Sequence, residues 1–144
     1  MLRPVVLALV LALAGCVTPA LDRGAYVENA KAALESAASE TGTARLAVQA
    51  RLDGRSTNAF ADTVITDSEK ALAPIEASFG GVDPPTQAED ALRASTLEHL
   101  GTASDALAAA RVAVRRDDPA ALGDAEKALG EATDELDQAL EDLG

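Results

Sequence analysis

Towards the end of this chain Leu122, Leu129, Leu136 and Leu143 recur every seven residues, and Ala125, Ala132 and Ala139 fill the intermediate position. Two turns of α-helix take about 7 residues, so this spacing gathers a leucine seam and an alanine seam on one side of one helix. Alanine beside leucine lets another helix approach closely, in the manner of coiled coils and up-down bundles. Such a seam is buried either by another helix of the same chain or by a second copy, and periodicity alone does not distinguish the two.

Three further helices are predicted upstream. Val27, Ala30, Leu34, Ala37, Thr41, Ala44 and Val48 alternate steps of three and four residues, one helical face. Thr18 followed by Pro19 suits its start, because the hydroxyl can cap and the proline lacks an N–H that the first turn would leave unpaired anyway. This helix should fade near Asp53-Gly54. A second face comprises Ala61, Ile65, Ser68, Leu72, Ile75 and Phe79, with Ser56 or Thr57 as cap. Pro74 lies inside it, removes the bond to the Lys70 carbonyl and predicts a kink or a break. Gly80-Gly81-Val82-Asp83-Pro84-Pro85 is the clearest loop. Thr86 and Glu89 have capping-box spacing before a third face of Leu92, Leu100, Ala103, Leu107, Ala110 and Val114. Arg115 and Arg116 suit its C-terminus, and Asp118-Pro119 starts the leucine-seam helix.

The predicted fold is therefore all-α, an alanine-rich antiparallel four-helix bundle. Gly42-Thr43-Ala44 recurs as Gly101-Thr102-Ala103, and Asp67-Ser68-Glu69-Lys70-Ala71-Leu72 as Asp124-Ala125-Glu126-Lys127-Ala128-Leu129, at offsets of 59 and 57 residues. Two tandem helical hairpins would account for the near-equal offsets; so would chance matches between alanine-rich helices.

The opening residues carry an address. After Met1, Leu2, Arg3 and Pro4, residues 5–14 contain no polar side chain, and Gly15 and Cys16 follow. This is a signal-peptide layout, and at about half of the roughly 20 apolar residues a spanning helix needs it does not cross a bilayer. Leu13-Ala14-Gly15-Cys16 resembles the lipobox of bacterial lipoproteins. That resemblance implies diacylglyceryl and acyl chains on Cys16, cleavage on its amino side and loss of residues 1–15. Residues 16–18 would then be the lipidated anchor and a short tether, and residues 19–144 the helical domain. The alternative is an ordinary secretory leader. The chain has no other cysteine, so in an oxidising compartment this thiol has no internal disulfide partner, and lipidation gives it a purpose. One acyl chain holds a protein marginally and two hold it stably, each buried methylene contributing about 0.8 kcal/mol. The expected location is the extracytoplasmic face of the cell membrane. Val17 stands where aspartate would signal inner-membrane retention in some double-membrane species, which leaves an outer-membrane home open.

Composition limits what the mature part can do. The chain carries a formal net charge of −12, and removal of Arg3 makes it −13. Binding to nucleic acid or to anionic lipid through a broad basic face is therefore not expected, since such binding needs clustered Lys and Arg. Only 25 of the 129 residues from Cys16 onward are Leu, Ile, Val or Phe, close to the range in which highly charged chains stay disordered. Abundant alanine opposes this, because it is the best helix former and loses no side-chain entropy.

Chemistry is sparse. His99 is the only histidine, and no Gly-x-Ser-x-Gly motif or phosphate-cradling glycine loop is present. A bundle metal site of the Glu-x-x-His kind fails, because Glu98 is adjacent to His99 and Thr96 lies three residues before it. Residues 117–144 hold ten carboxylates and one base, Lys127. Asp134, Glu135, Asp137, Glu141 and Asp142 read as a solvated face more readily than as a calcium site, for no loop concentrates them. Tyr26, Phe60 and Phe79 are expected to plug the core. No enzyme activity, cofactor or metal is expected. The expected role is that of a membrane-anchored envelope lipoprotein whose bundle acts by contact with an envelope partner, and the alternative is a module for a small ligand or divalent cation.

Overall fold

A computed structural model describes residues 22–144. They form α1 (Arg23–Leu52), α2 (Asn58–Gly80), a single 3₁₀ turn (Gln87–Glu89), α3 (Asp90–Arg116) and α4 (Pro119–Asp142), with no strand among the described residues. The start of α1 packs on the end of α2 through Tyr26 and Phe79, while Arg45 of α1 reaches Glu126 of α4 and Arg111 of α3 reaches Glu69 of α2. These pairs fix an antiparallel four-helix bundle, as predicted.

Three of the four helices, α1, α2 and α4, start where a side chain can take up orphan N–H groups. Asp22 accepts from the Ala25 amide at 2.9 Å, Thr57 from Phe60 at 3.2 Å, and Asp118 from Ala120 and Ala121 at 3.0 and 3.3 Å ahead of Pro119. The cap of α1 is thus Asp22; Thr18 and Pro19, expected to hold that place, lie outside the described residues. Helix α1 ends at Leu52, followed by Gly54 at a φ of 69°, where glycine has no Cβ to strain. Asp117 ends α3 in the left-handed region at a φ of 52°, which an aspartate tolerates better than most residues.

The leucine seam is buried inside the chain. Leu122, Leu129 and Leu136 are core residues together with Ala125 and Ala132, and Ala139 and Leu143 pack against them at the rim. Helix α4 uses this seam against α1 and α3, while α1 and α3 also meet across the centre, leaving α2 and α4 at opposite corners. Small side chains cause that geometry: Ala30, Ala37 and Ala44 of α1 and Ala103, Ala106 and Ala110 of α3 face the interior, so these two helices close on each other. One polar contact crosses the core. The Thr133 hydroxyl lies 2.9 Å from that of Thr41 and 2.8 Å from the Leu129 carbonyl, and the Thr41 hydroxyl is 3.0 Å from the Ala37 carbonyl. Either direction of donation satisfies both hydroxyls, so burying them costs little.

Several local expectations are corrected. The first seam position of α1 is Tyr26, fully buried, while the neighbouring Val27 is half-buried. Phe60 is 57% exposed and does not plug the core, because α2 turns Ala61 inward instead. Of the kink or break expected at Pro74, the break does not occur, because helix α2 runs on through that residue. Both Pro74 and Lys70 are exposed, so the carbonyl that loses its partner lies on the solvent side. Thr86 and Glu89 do associate, Thr86 accepting from the Ala88 amide at 3.2 Å and donating 2.6 Å to the Glu89 carboxylate, but Glu89 is the last residue of a 3₁₀ turn that leads into α3.

The proposed repeat acquires partial structural parallels. Ala44 and Ala103 are both buried, and Thr43 and Thr102 both donate to the carbonyl four residues earlier. Glu69 and Glu126 each receive an arginine from a neighbouring helix, at 2.6 and 2.7 Å. Those arginines, Arg111 and Arg45, are 66 residues apart, one heptad out of step with the 59-residue offset of the surrounding glycines.

Candidate functional site

Leu13, Ala14, Gly15 and Cys16 lie outside the described residues. The end of the bundle that follows them in the chain is described from Asp22 onward, and it gathers the start of α1, the end of α2, the 81–89 loop, the start of α3 and the end of α4.

This end holds the most heavily worked polar cluster of the fold. Glu89 is only 5% exposed, a position a carboxylate occupies only with partners. It has two: the Thr86 hydroxyl at 2.6 Å and the Arg23 guanidinium at 3.3 Å, the latter tying the first turn of α1 to the entry of α3. Arg93, one turn along α3, donates from Nη2 to the Gly80 carbonyl at 2.6 Å and so closes the end of α2. Tyr26 stacks at 5.6 Å between ring centroids on Phe79. Its hydroxyl and the Nε of Arg93 are buried without a hydrogen-bond partner. Burial pushes the Tyr26 phenol above its ordinary value; Arg93 opposes this, and Asp90, Asp83 and Glu89 add to it. The cluster acts as a structural clamp between helix ends, Arg23 and Thr86 meeting the Glu89 carboxylate and Arg93 meeting the Gly80 carbonyl.

Ser95, His99 and Asp142 line one small pocket of about 90 Å³ between α3 and α4. No hydrogen bond joins any two of them among the described residues, so the serine has no base positioned to activate it. The carboxylates Asp134, Glu135, Asp137, Glu141 and Asp142 are all exposed on the outside of α4. Among the described residues no group of three or more His, Cys, Asp or Glu side chains converges as a metal site would require. No described helix is long and apolar enough to cross a membrane.

At the opposite end, Arg51 bridges the exits of α1 and α3: it donates to Asn58 and, at 2.5 Å, to Asp117. Hydrogen bonds involving Asn58 and Arg51 hold the Asp117 carboxyl below its ordinary range. Half-way along, Glu126 accepts from Arg45 at 2.7 Å and from Gln49 at 2.8 Å, and these bonds hold its carboxyl low as well. The two halves of the bundle differ sharply in charge. Residues 22–37, 69–103 and 131–144, the half next to Asp22, carry fifteen carboxylates and four Lys or Arg; residues 38–68 and 104–130 carry nine and seven. The exposed large apolar side chains, Leu46, Leu52, Phe60 and Val112, all fall in the second half.

Comparison with known proteins supplies no relative. No family model, curated protein or solved structure matches the chain.

Proposed function

We propose that this chain is an exported bacterial lipoprotein, cleaved before Cys16 and held at the extracytoplasmic membrane face by acyl chains on that cysteine, and that its bundle works by contact and not by catalysis. The observation that carries the reading is Leu13-Ala14-Gly15-Cys16 standing directly after the apolar run of residues 5–14.

Two features of the bundle fit such a role. Asp22 caps α1 only six residues after Cys16, so the half with fifteen carboxylates would stand beside the lipid surface. Anionic headgroups repel that charge, which would keep the bundle from lying flat and leave the more balanced half, with its exposed apolar side chains, turned outward. The buried or half-buried charged side chains of the bundle serve to join its helices, as Glu89 with Arg23, Glu126 with Arg45 and Glu69 with Arg111 do.

The test is metabolic labelling with a palmitate analogue in a bacterium that processes lipoproteins. The unaltered chain should take up label and sediment with membranes. Cys16→Ala should lose the label and leave the membrane fraction, and unchanged membrane retention in that variant would overturn the anchor.

A further inference from the structure

The outer junction of α3 and α4 in the more balanced half forms an open groove of about 540 Å³, with an apolar floor and walls that include Ala108, Val112, Arg116, Ala121, Asp124 and Ala128. Val112 is 39% exposed there. On the rim Arg116 stands out because of what surrounds it. Arg45, Arg51, Arg55, Arg111 and Arg115, the other arginines of this half, each meet a carboxylate of the same chain. Arg116 forms no ion pair among the described residues, and neither does Asp124, although both flank the same groove.

We propose that this groove is where two copies of the chain meet, with Arg116 of each opposite Asp124 of the other and the two Val112 side chains between them. An isologous contact requires a self-complementary surface, in which residue i meets residue j and j meets i. One unpaired cation and one unpaired anion beside an apolar floor are the minimal form of such a surface. Charge also selects this half of the molecule. Two copies of a chain with a net charge of −13 after Cys16 repel each other over most of their surfaces, and the repulsion is least where nine carboxylates face seven cations. A strongly acidic partner would leave Asp124 opposed, and a basic one would leave Arg116 opposed; a second copy satisfies both. The contact needs only residues 104–130 and stands whether or not Cys16 carries acyl chains.

The test uses the full chain in the fraction of the cell where it resides. Val112→Cys, oxidised with copper phenanthroline, should give a band of twice the chain mass linked through position 112 as mapped by mass spectrometry, whereas the unaltered chain and Leu46→Cys, on the outer side of α1, should not. Adding Arg116→Asp should lower the yield about tenfold, since two attractive pairs become repulsive. Combining Arg116→Asp with Asp124→Arg should restore it, which a mere folding defect would not allow. A link only to a protein of another mass, equal dimer from Leu46→Cys, no dimer, or indifference to the charge exchange would each overturn the proposal.

Discussion

The guanidinium of Arg45 lies over Gly130, with its Nε 2.7 Å from Oε1 of Glu126, and a Cβ on that glycine would come within 2.9 Å of Cζ of Arg45. A side chain in the middle of α4 would therefore have to push the flexible end of Arg45 aside. Glycine costs a helix interior roughly 0.5–1 kcal/mol relative to alanine, and here that cost makes room for the arginine.

Gly130→Ala should accordingly give little or no net stability in the unaltered protein, because the helix gain is offset by displacement of Arg45. In an Arg45→Ala background the same substitution should stabilise by about 0.5–1 kcal/mol. Urea denaturation of the four proteins in this cycle measures the coupling; equal effects in both backgrounds would mean that the contact carries no energy.

Glu126 gives a pH signature. Its folded carboxyl is held low by Arg45 and Gln49, so its contribution is fully present above the unfolded value of about 4.5 and is lost as pH falls through the lower folded value. Glu126→Gln should destabilise by about 1 kcal/mol at pH 7. The difference from the unaltered protein should shrink towards zero as the pH is lowered below that range, read from thermal melts at each pH.

The Tyr26 hydroxyl is buried with no partner, an arrangement that costs about 1–3 kcal/mol. Tyr26→Phe keeps the ring on Phe79 and removes the unsatisfied group, so it should raise the denaturation midpoint. A lowered midpoint would show that the hydroxyl is bonded in solution, as through a water shared with Arg93.

Pro74→Ala restores an N–H for the Lys70 carbonyl inside a helix that is already continuous. The gain should be about 1 kcal/mol or more, the interior proline penalty less what the more flexible unfolded chain takes back. Melting temperature and helical ellipticity should both rise slightly.

The residues most legible in the sequence were those whose role is periodic or local. Leu122, Leu129 and Leu136 announce their face by spacing, and Thr57, Asp118 and Pro119 act within three residues of themselves, so caps and seam could be read without tertiary information. Whether the seam faced inward could not, because that depends on α1 and α3 offering an alanine-lined surface from far away in the chain. Tyr26 displaced Val27 because Phe79, more than fifty residues on, offers its ring. Phe60 looked like core from its type alone, but Ala61 next to it holds the buried register. The clamp of Arg23, Glu89 and Arg93 was invisible for a related reason: Thr86 and Glu89 have capping-box spacing, and only the packed helix ends show that the carboxylate turns instead to a hydroxyl and an arginine on α1. Gly130 carries no sequence mark that separates it from Gly123, whose added Cβ would meet nothing.

The fate of Cys16 is tested most directly by mass spectrometry of the mature amino terminus from membranes. The predicted peptide begins at Cys16 and is heavier by a diacylglyceryl group, with or without a further amide-linked acyl chain. A peptide that begins elsewhere, or one that carries Cys16 as an unmodified thiol, would contradict it.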